Sequence, residues 1–194
     1  MGMLRAELPS TEVVIHSQDS PDLAAGLIRG KIDVAFLRPE KQAPGLKFKP
    51  LRKDPLIVLM SRDHALTARS SIRPQDIAGQ TFIGVSAIRA PTLRAVIDDY
   101  ARRTGLALKP DHQAENLAMA ISLVASTGGI GLLPLYSQNL LPKTVVSRPI
   151  RGAPPTVDLV IGYNEANTSP LLKFILSKVD DLKFRVQGAA ADKS

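Results

Sequence analysis

Cysteine and tryptophan are both absent from the 194 residues. Without cysteine there is no disulfide, thiol nucleophile or thiolate metal ligand, and the usage fits a reducing compartment. Aromatic residues make up only 4% of the chain, too few for a platform on which bases stack. No run of eighteen apolar residues occurs, so no segment reads as a transmembrane helix and no membrane partner is expected. The opening MGMLRAELPSTE has no apolar signal core, which points to the cytoplasm. Acid is scarce beside base: 18 Asp and Glu against 25 Lys and Arg, a net charge of +7 and a pI near 9.9. That excess is either a well-solvated surface or an attraction to something anionic, DNA or a small molecule. The cations are spread along the chain and no helix reads as a basic recognition helix, which argues against DNA contact by these residues.

Catalytic constellations are also missing. His16, His64 and His112 lie far apart, and none has the i,i+4 partner of a zinc-binding helix. No G-x-S-x-G occurs. Gly128-Gly129-x-Gly131 lacks the G-K of a phosphate loop and is followed by a strand pattern where a helix should begin. No enzyme activity, metal or cofactor is therefore expected.

What is present is an alternation of strands and helices in a chain that is 44% hydrophobic, enough to bury a core in one domain or two small ones. The stretch Glu12 to Pro39 organises the rest. Val13, Val14 and Ile15 read as a buried strand. Asp19 or Ser20 caps a helix with Pro21 in its first turn, and Gly30 ends it. Ile32 to Leu37 reads as a second strand, parallel to the first because a helical crossover separates them. Arg38 follows its carboxyl end, the edge at which open α/β sheets bind ligands, and makes an anion site feasible.

Further along, Met3 to Leu8 reads as the end of a helix. Gln42 to Gly45 reads as a turn and Leu46 to Leu51 as a half-exposed strand. Leu56 to Met60 is a buried strand and Pro74 to Ile77 a short helix. Thr81 to Val85 is a strand, Thr92 to Thr104 an amphipathic helix, and Leu106 to His112 contains a short strand. Asn116 caps a helix expected to be buried because it is apolar nearly all round. Strands follow at Ile130 to Leu133, Val145 to Ile150 and Val157 to Tyr163, then a last helix capped by Thr168 or Ser169. The class is α/β. The segments Ile72–Thr81 and Val145–Thr156 read as crossovers between two lobes, which would make a hinge and a cleft.

Four segments are similar to the effector-binding domain of LysR-type transcriptional regulators. They are GKIDVAF in the opening unit, DPLIVLMSRDHAL, IRPQDIAGQTFI and AISLVASTGGIGLLP, in the family's order. The resemblance runs from about Met3 to Leu182. It implies two Rossmann-like lobes of the periplasmic-binding-protein type II kind. Residues 1–77 and 155–186 would form a discontinuous first lobe, 78–154 the second, and 187–194 a disordered tail. It also implies that the family's winged helix-turn-helix and the first strand of the effector domain are missing. The expected function is ligand sensing for transcription. A small effector binds between the lobes and shifts the geometry of a homodimer or homotetramer, and DNA is touched only through the domain not present. Dimer contacts would use the helices near Asp22–Arg29 and Thr92–Thr104. The rival reading is a transporter's solute-binding protein with the same two-lobe fold.

The resemblance also places the site. Ser20 stands where the family puts a hydroxyl or amide at a helix N-terminus, or it only caps that helix. Arg38 matches a ligand-contacting arginine of muconate-responsive relatives, and its fork suits a carboxylate; its other reading is a surface ion pair. Arg52 aligns with a second arginine of those relatives, linked there to a secondary ligand site, and otherwise reads as a surface strand residue. Ser86, Arg89 and Thr92 lie on a loop whose N–H groups should face the cleft, with Arg89 able to close over an anion; its other reading is an ordinary capped loop. Asn116 begins another helix aimed at the cleft, though capping alone explains it. The effector is expected to be a carboxylate, with an aromatic acid as the narrower expectation.

Overall fold

The computed structural model describes residues 11–39 and 43–180. Helix α1 (Ser20–Ile28) has Pro21 in its first turn, where a missing N–H is harmless. It buries Ala24 and Leu27 against Leu37, Leu46 and Val160, while Ile28 faces away. Gly26 permits a close approach, since a Cβ there would stand 2.6 Å from Ile32 Cδ1. Strand β1 (Ala35–Leu37) and the 16-residue strand β2 (Leu46–Ser61) follow. Then come α2 (Pro74–Ile77), β3 (Phe82–Val85), α3 (Pro91–Thr104), β4 (His112–Ala114) and α4 (Leu117–Thr127). The chain continues through β5 (Ile130–Pro134), β6 (Val145–Pro149), β7 (Thr156–Asn164) and α5 (Pro170–Ser177). Single 3-10 turns occupy Ala65–Ala68 and Leu135–Leu140.

Strand β2 joins the two halves. From Leu46 to Pro55 it pairs antiparallel with β7, which in turn pairs antiparallel with β1. From Leu56 onward it pairs antiparallel with β5 and β6 instead. The parallel strands β5, β3 and β4 complete the second half. A bulge between Pro50 and Arg52 interrupts the first ladder, where a proline has no N–H to give. Each half has its own core. The larger holds Leu56 to Met60 with Ile97, Tyr100, Val124, Ile130 and Leu132. The smaller first half holds the α1–β1 cluster and a cluster of Leu51, Ile161 and Val179.

Strand β2 belongs to both ladders: Leu46 to Pro55 pairs with β7, and Leu56 to Met60 ladders with β5 and β6 and packs in the larger core. Four expectations are corrected. Val13, Val14 and Ile15 form no strand and are exposed, Ile15 by 69%. No described backbone pairs with them, and apolar β-branched residues make no sheet without a ladder partner. The second strand is shortened to Ala35–Leu37 and pairs antiparallel with β7, so the expected parallel pair does not form among the described residues. The short strand near Leu106 to His112 begins only at His112, where it can pair with β3. Helix α4 is buried on one face only, through Ala120, Ile121 and Val124, and leaves Met119 outside. The expectations for Met3 to Leu8 and for the tail lie outside the described residues.

Helix ends follow local chemistry. Gly105 and Gly128 close α3 and α4 at φ near 70°, a left-handed geometry that only glycine adopts cheaply. Asn116 Oδ1 accepts from Met119 N at 2.9 Å to cap α4, and Ser169 Oγ accepts from Leu171 N at 3.2 Å to cap α5.

Candidate functional site: a cleft cavity with two arginines on one carboxylate

A cavity of about 450 Å³ lies between the halves, within the size range of small-molecule sites. Its wall includes the carboxyl ends of strands: Phe36 and Leu37 of β1 with Arg38 just after it, Val85 of β3, Ala114 of β4, and Leu133 and Pro134 of β5. Three helices begin at the same wall. Asp19 and Ser20 open α1, Ala90 to Thr92 open α3, and Glu115 to Leu117 open α4. Each start leaves backbone N–H groups without an intrahelical acceptor, and the helix dipole adds positive potential. Their convergence favours an anion.

The strongest charges sit at the buried end. Arg38 donates from Nη2 to Asp54 Oδ2 at 2.8 Å and from Nη1 to the Val157 carbonyl at 3.4 Å. Arg52 Nε lies 2.6 Å from the other oxygen, Asp54 Oδ1, as an ion contact without the alignment of a directed hydrogen bond. Asp54 is 2% exposed. Among the described residues, these two guanidiniums share one carboxylate, an excess of one positive charge. Both arginines line the cavity, whereas Asp54 lies behind them. A guanidinium carries five N–H donors, so Arg38 keeps donors in reserve. Its Cζ also lies 5.5 Å from the centre of the Tyr136 ring.

Of the residues singled out from sequence, Ser20, Arg38, Arg52, Arg89, Thr92 and Asn116 all line this one cavity. Arg52 lines it beside Arg38. Ser86 is 2% exposed and is not among the residues lining the cavity. Its Oγ accepts from Arg89 N at 3.3 Å and its carbonyl from Ala90 N at 2.9 Å, so it shapes the loop. Ser20 is not a cap either. Its Oγ accepts from Arg38 N at 3.0 Å, tying the start of α1 to the end of β1, and the hydroxyl hydrogen remains to donate. Thr92 Oγ1 donates across the cleft to the Pro39 carbonyl at 2.8 Å.

Sequence reasoning missed Asp54, Phe36, Tyr136 and Glu115. A lone acid between two prolines, beside the apolar LIVLM, was the available signal for Asp54. Phe36 looked like core, yet it is 52% exposed between the buried Ala35 and Leu37 and presents its ring to the cavity. Among the described residues, no helix is long and apolar enough to cross a membrane.

Comparison with known proteins agrees with this architecture. The chain is 24% identical over 179 residues to the Hca operon transcriptional activator HcaR of Escherichia coli K12, which covers 92% of this chain and 60% of that protein. It is 24% identical over 172 residues to the regulator AlsR of Bacillus subtilis, covering 89% and 57%. The chain thus spans about three-fifths of the length of these curated relatives. Among solved structures, the effector-binding domain of a BenM variant superposes with a TM-score of 0.83 at 18% identity, covering 96% of this chain and 87% of that one. The BenM effector-binding domain with its effector benzoate gives 0.79 at 16% identity, covering 100% and 86%. The family model of the LysR substrate binding domain matches residues 1–177, and the chain belongs to that family.

Proposed function

We propose that this chain senses a small carboxylate on behalf of a LysR-type transcriptional regulator in the cytoplasm. The single observation that carries this is the pair Arg38 and Arg52, held on buried Asp54 at the wall of a cavity onto which three helix N-termini converge. A ligand carboxylate takes the free donors of Arg38, the Ser20 hydroxyl and the open N–H groups at the helix starts. Phe36 and Tyr136 offer ring surface to the rest of the ligand, which suits an aromatic acid. The relatives named above are transcription regulators, which favours this reading over a transporter's solute-binding protein and over an enzyme.

The cavity lies between two halves joined at Pro55–Leu56 and at the start of β7, so a ligand held by both can alter their relative position. It does so only to the extent that it binds one arrangement more tightly. We propose that this change passes through a homodimer or homotetramer built on α1 and α3 to DNA-binding parts of the full-length regulator.

A thermal-shift screen of aromatic and aliphatic carboxylates tests the reading. At least one acid should raise the Tm of the parent chain, and Arg38→Ala should abolish that rise. An equal rise in the variant removes Arg38 from the site and refutes the proposal.

A further inference from the structure

The fold gathers cations that the sequence scatters. Strand β6 pairs with β2 on one side. On its other side runs the segment that follows β2, joined to it by the parallel bridge Ile72–Ile150 and by Arg151 N donating to the Ile72 carbonyl at 2.8 Å. Side chains stitch the same seam. Arg62 donates from Nε to the Lys143 carbonyl at 2.7 Å. Arg148 donates from Nε to the Arg69 carbonyl at 2.8 Å and from Nη2 to the Thr67 carbonyl at 2.9 Å. Residues 61–76 and 143–151 thus bring Arg62, Arg69, Arg73, Lys143, Arg148 and Arg151 to one edge of the larger half, against only Asp63 and Asp76. All six except Arg148 are exposed. Asp76 is shared by Arg73 at 3.0 Å and Arg69 at 3.6 Å. Carbonyls hold Arg62 and Arg148 in place without neutralising them. Lys143 and Arg151 have no acidic partner among the described residues.

We infer that this basic ridge lies against the phosphate backbone of duplex DNA. From Lys143 to Arg151 it runs about 20 Å at about 3.3 Å per extended residue, the length of about six base pairs. Five of the six cations are arginines, whose fork matches phosphate oxygens. No large apolar side chain of these two segments is exposed, so the ridge lacks the apolar centre of a protein–protein contact. Backbone contacts of this kind carry no sequence information. They add affinity and fix how this domain rests on DNA whose bases are read elsewhere in the regulator. The inference is independent of the carboxylate site.

Fluorescence anisotropy with a labelled duplex of about 20 base pairs and arbitrary sequence, titrated from about 20 to about 200 mM salt, tests this. Two triple variants of equal charge are compared with the parent chain. The ridge variant carries Arg62→Gln, Lys143→Gln and Arg151→Gln. The control carries Lys31→Gln, Lys49→Gln and Lys173→Gln, all exposed on the smaller half. The parent should bind, with affinity falling steeply as salt rises. The ridge variant should lose at least about tenfold at the lowest salt, and its slope of log K against log salt should flatten by about 2–3, the share of three phosphate contacts. The control should lose at most about twofold. Urea midpoints establish that each variant is folded. If the ridge triple is not, Lys143→Gln with Arg151→Gln replaces it, since neither side chain has a bonding partner among the described residues, and the slope should then flatten by about 2. Equal losses in the ridge and control variants would make the binding a matter of net charge and overturn the inference, as would no binding by the parent at the lowest salt. A polyglutamate peptide that binds the parent more tightly than the duplex, and loses that binding in the ridge variant, would assign the ridge to an acidic protein and overturn it too.

Discussion

Asp54→Asn isolates the contribution of the buried carboxylate. The change keeps the shape of the side chain and removes its charge. In the parent, Asp54 Oδ2 faces Arg38 at 2.8 Å and Oδ1 faces Arg52 at 2.6 Å, with the carboxylate 3% exposed. In the variant two guanidiniums stand close together with no anion between them, and the asparagine NH2 points a donor at one of them. Removing one partner of a buried ion pair costs about 3–5 kcal/mol. For a chain of this size 1 kcal/mol moves the Tm by about 2–4 °C, so the lower figure gives a fall of about 6–12 °C. Scanning calorimetry at low salt measures it. The mechanism adds a second signature. Sulfate or a bound carboxylate supplies the missing charge, so anions should restore more Tm to the variant than they add to the parent. A Tm equal to that of the parent, or equal anion responses in the two proteins, would refute the reasoning.

Other outcomes follow from single features. Tyr100 is buried with its hydroxyl lacking a partner among the described residues, and burial holds its pKa above the usual tyrosine value. Tyr100→Phe should stabilise the fold by about 1–3 kcal/mol, read by urea denaturation; a loss would show that the hydroxyl is satisfied. Gly84 has Pro110 Cγ 2.4 Å from where a Cβ would sit, so Gly84→Ala should cost about 1–3 kcal/mol by overpacking, and an unchanged midpoint would contradict this. Asp76 caps α2, and its pKa is lowered by hydrogen bonds from the Arg73 side chain and backbone, opposed by burial. A depressed folded-state pKa gives stability that is present above the unfolded carboxylate pKa and lost as pH falls through the folded one. The Tm difference between the parent and Asp76→Asn should therefore be full at neutral pH and shrink in acid; a difference that grows in acid would reverse the sign.

How far the sequence speaks depends on the range of the interactions involved. Local signals were legible. Gly105, Gly128, Asn116 and Ser169 stop or start helices through bonds within a turn, and each does so in the structure. Continuous apolar runs such as LIVLM and IGLLP became strands because they are buried on both faces. What failed was decided by partners distant in sequence. Val13 to Ile15 has strand composition but no described neighbour to pair with. Strand β2 changes partners after Pro55 because β5 and β6, some seventy to ninety residues later, capture Leu56 onward. In the site, Arg38 was legible from its position after β1. Its true setting was not, since Asp54 and Val157 arrive from two other strands. Ser20 and Ser86 are the clearest cases: both were plausible hydroxyls at loop or helix starts, and only the tertiary fold turns one to the cavity wall and buries the other.

The central claim is that this cleft grips an acid through Arg38. A crystal structure of the chain with the tightest-binding carboxylate from the screen tests it most directly. The account predicts the carboxylate against the Arg38 guanidinium, near the Ser20 hydroxyl and between the two halves. A ligand found elsewhere on the surface, or in the cleft with its carboxylate turned away from both Arg38 and Arg52, would contradict it.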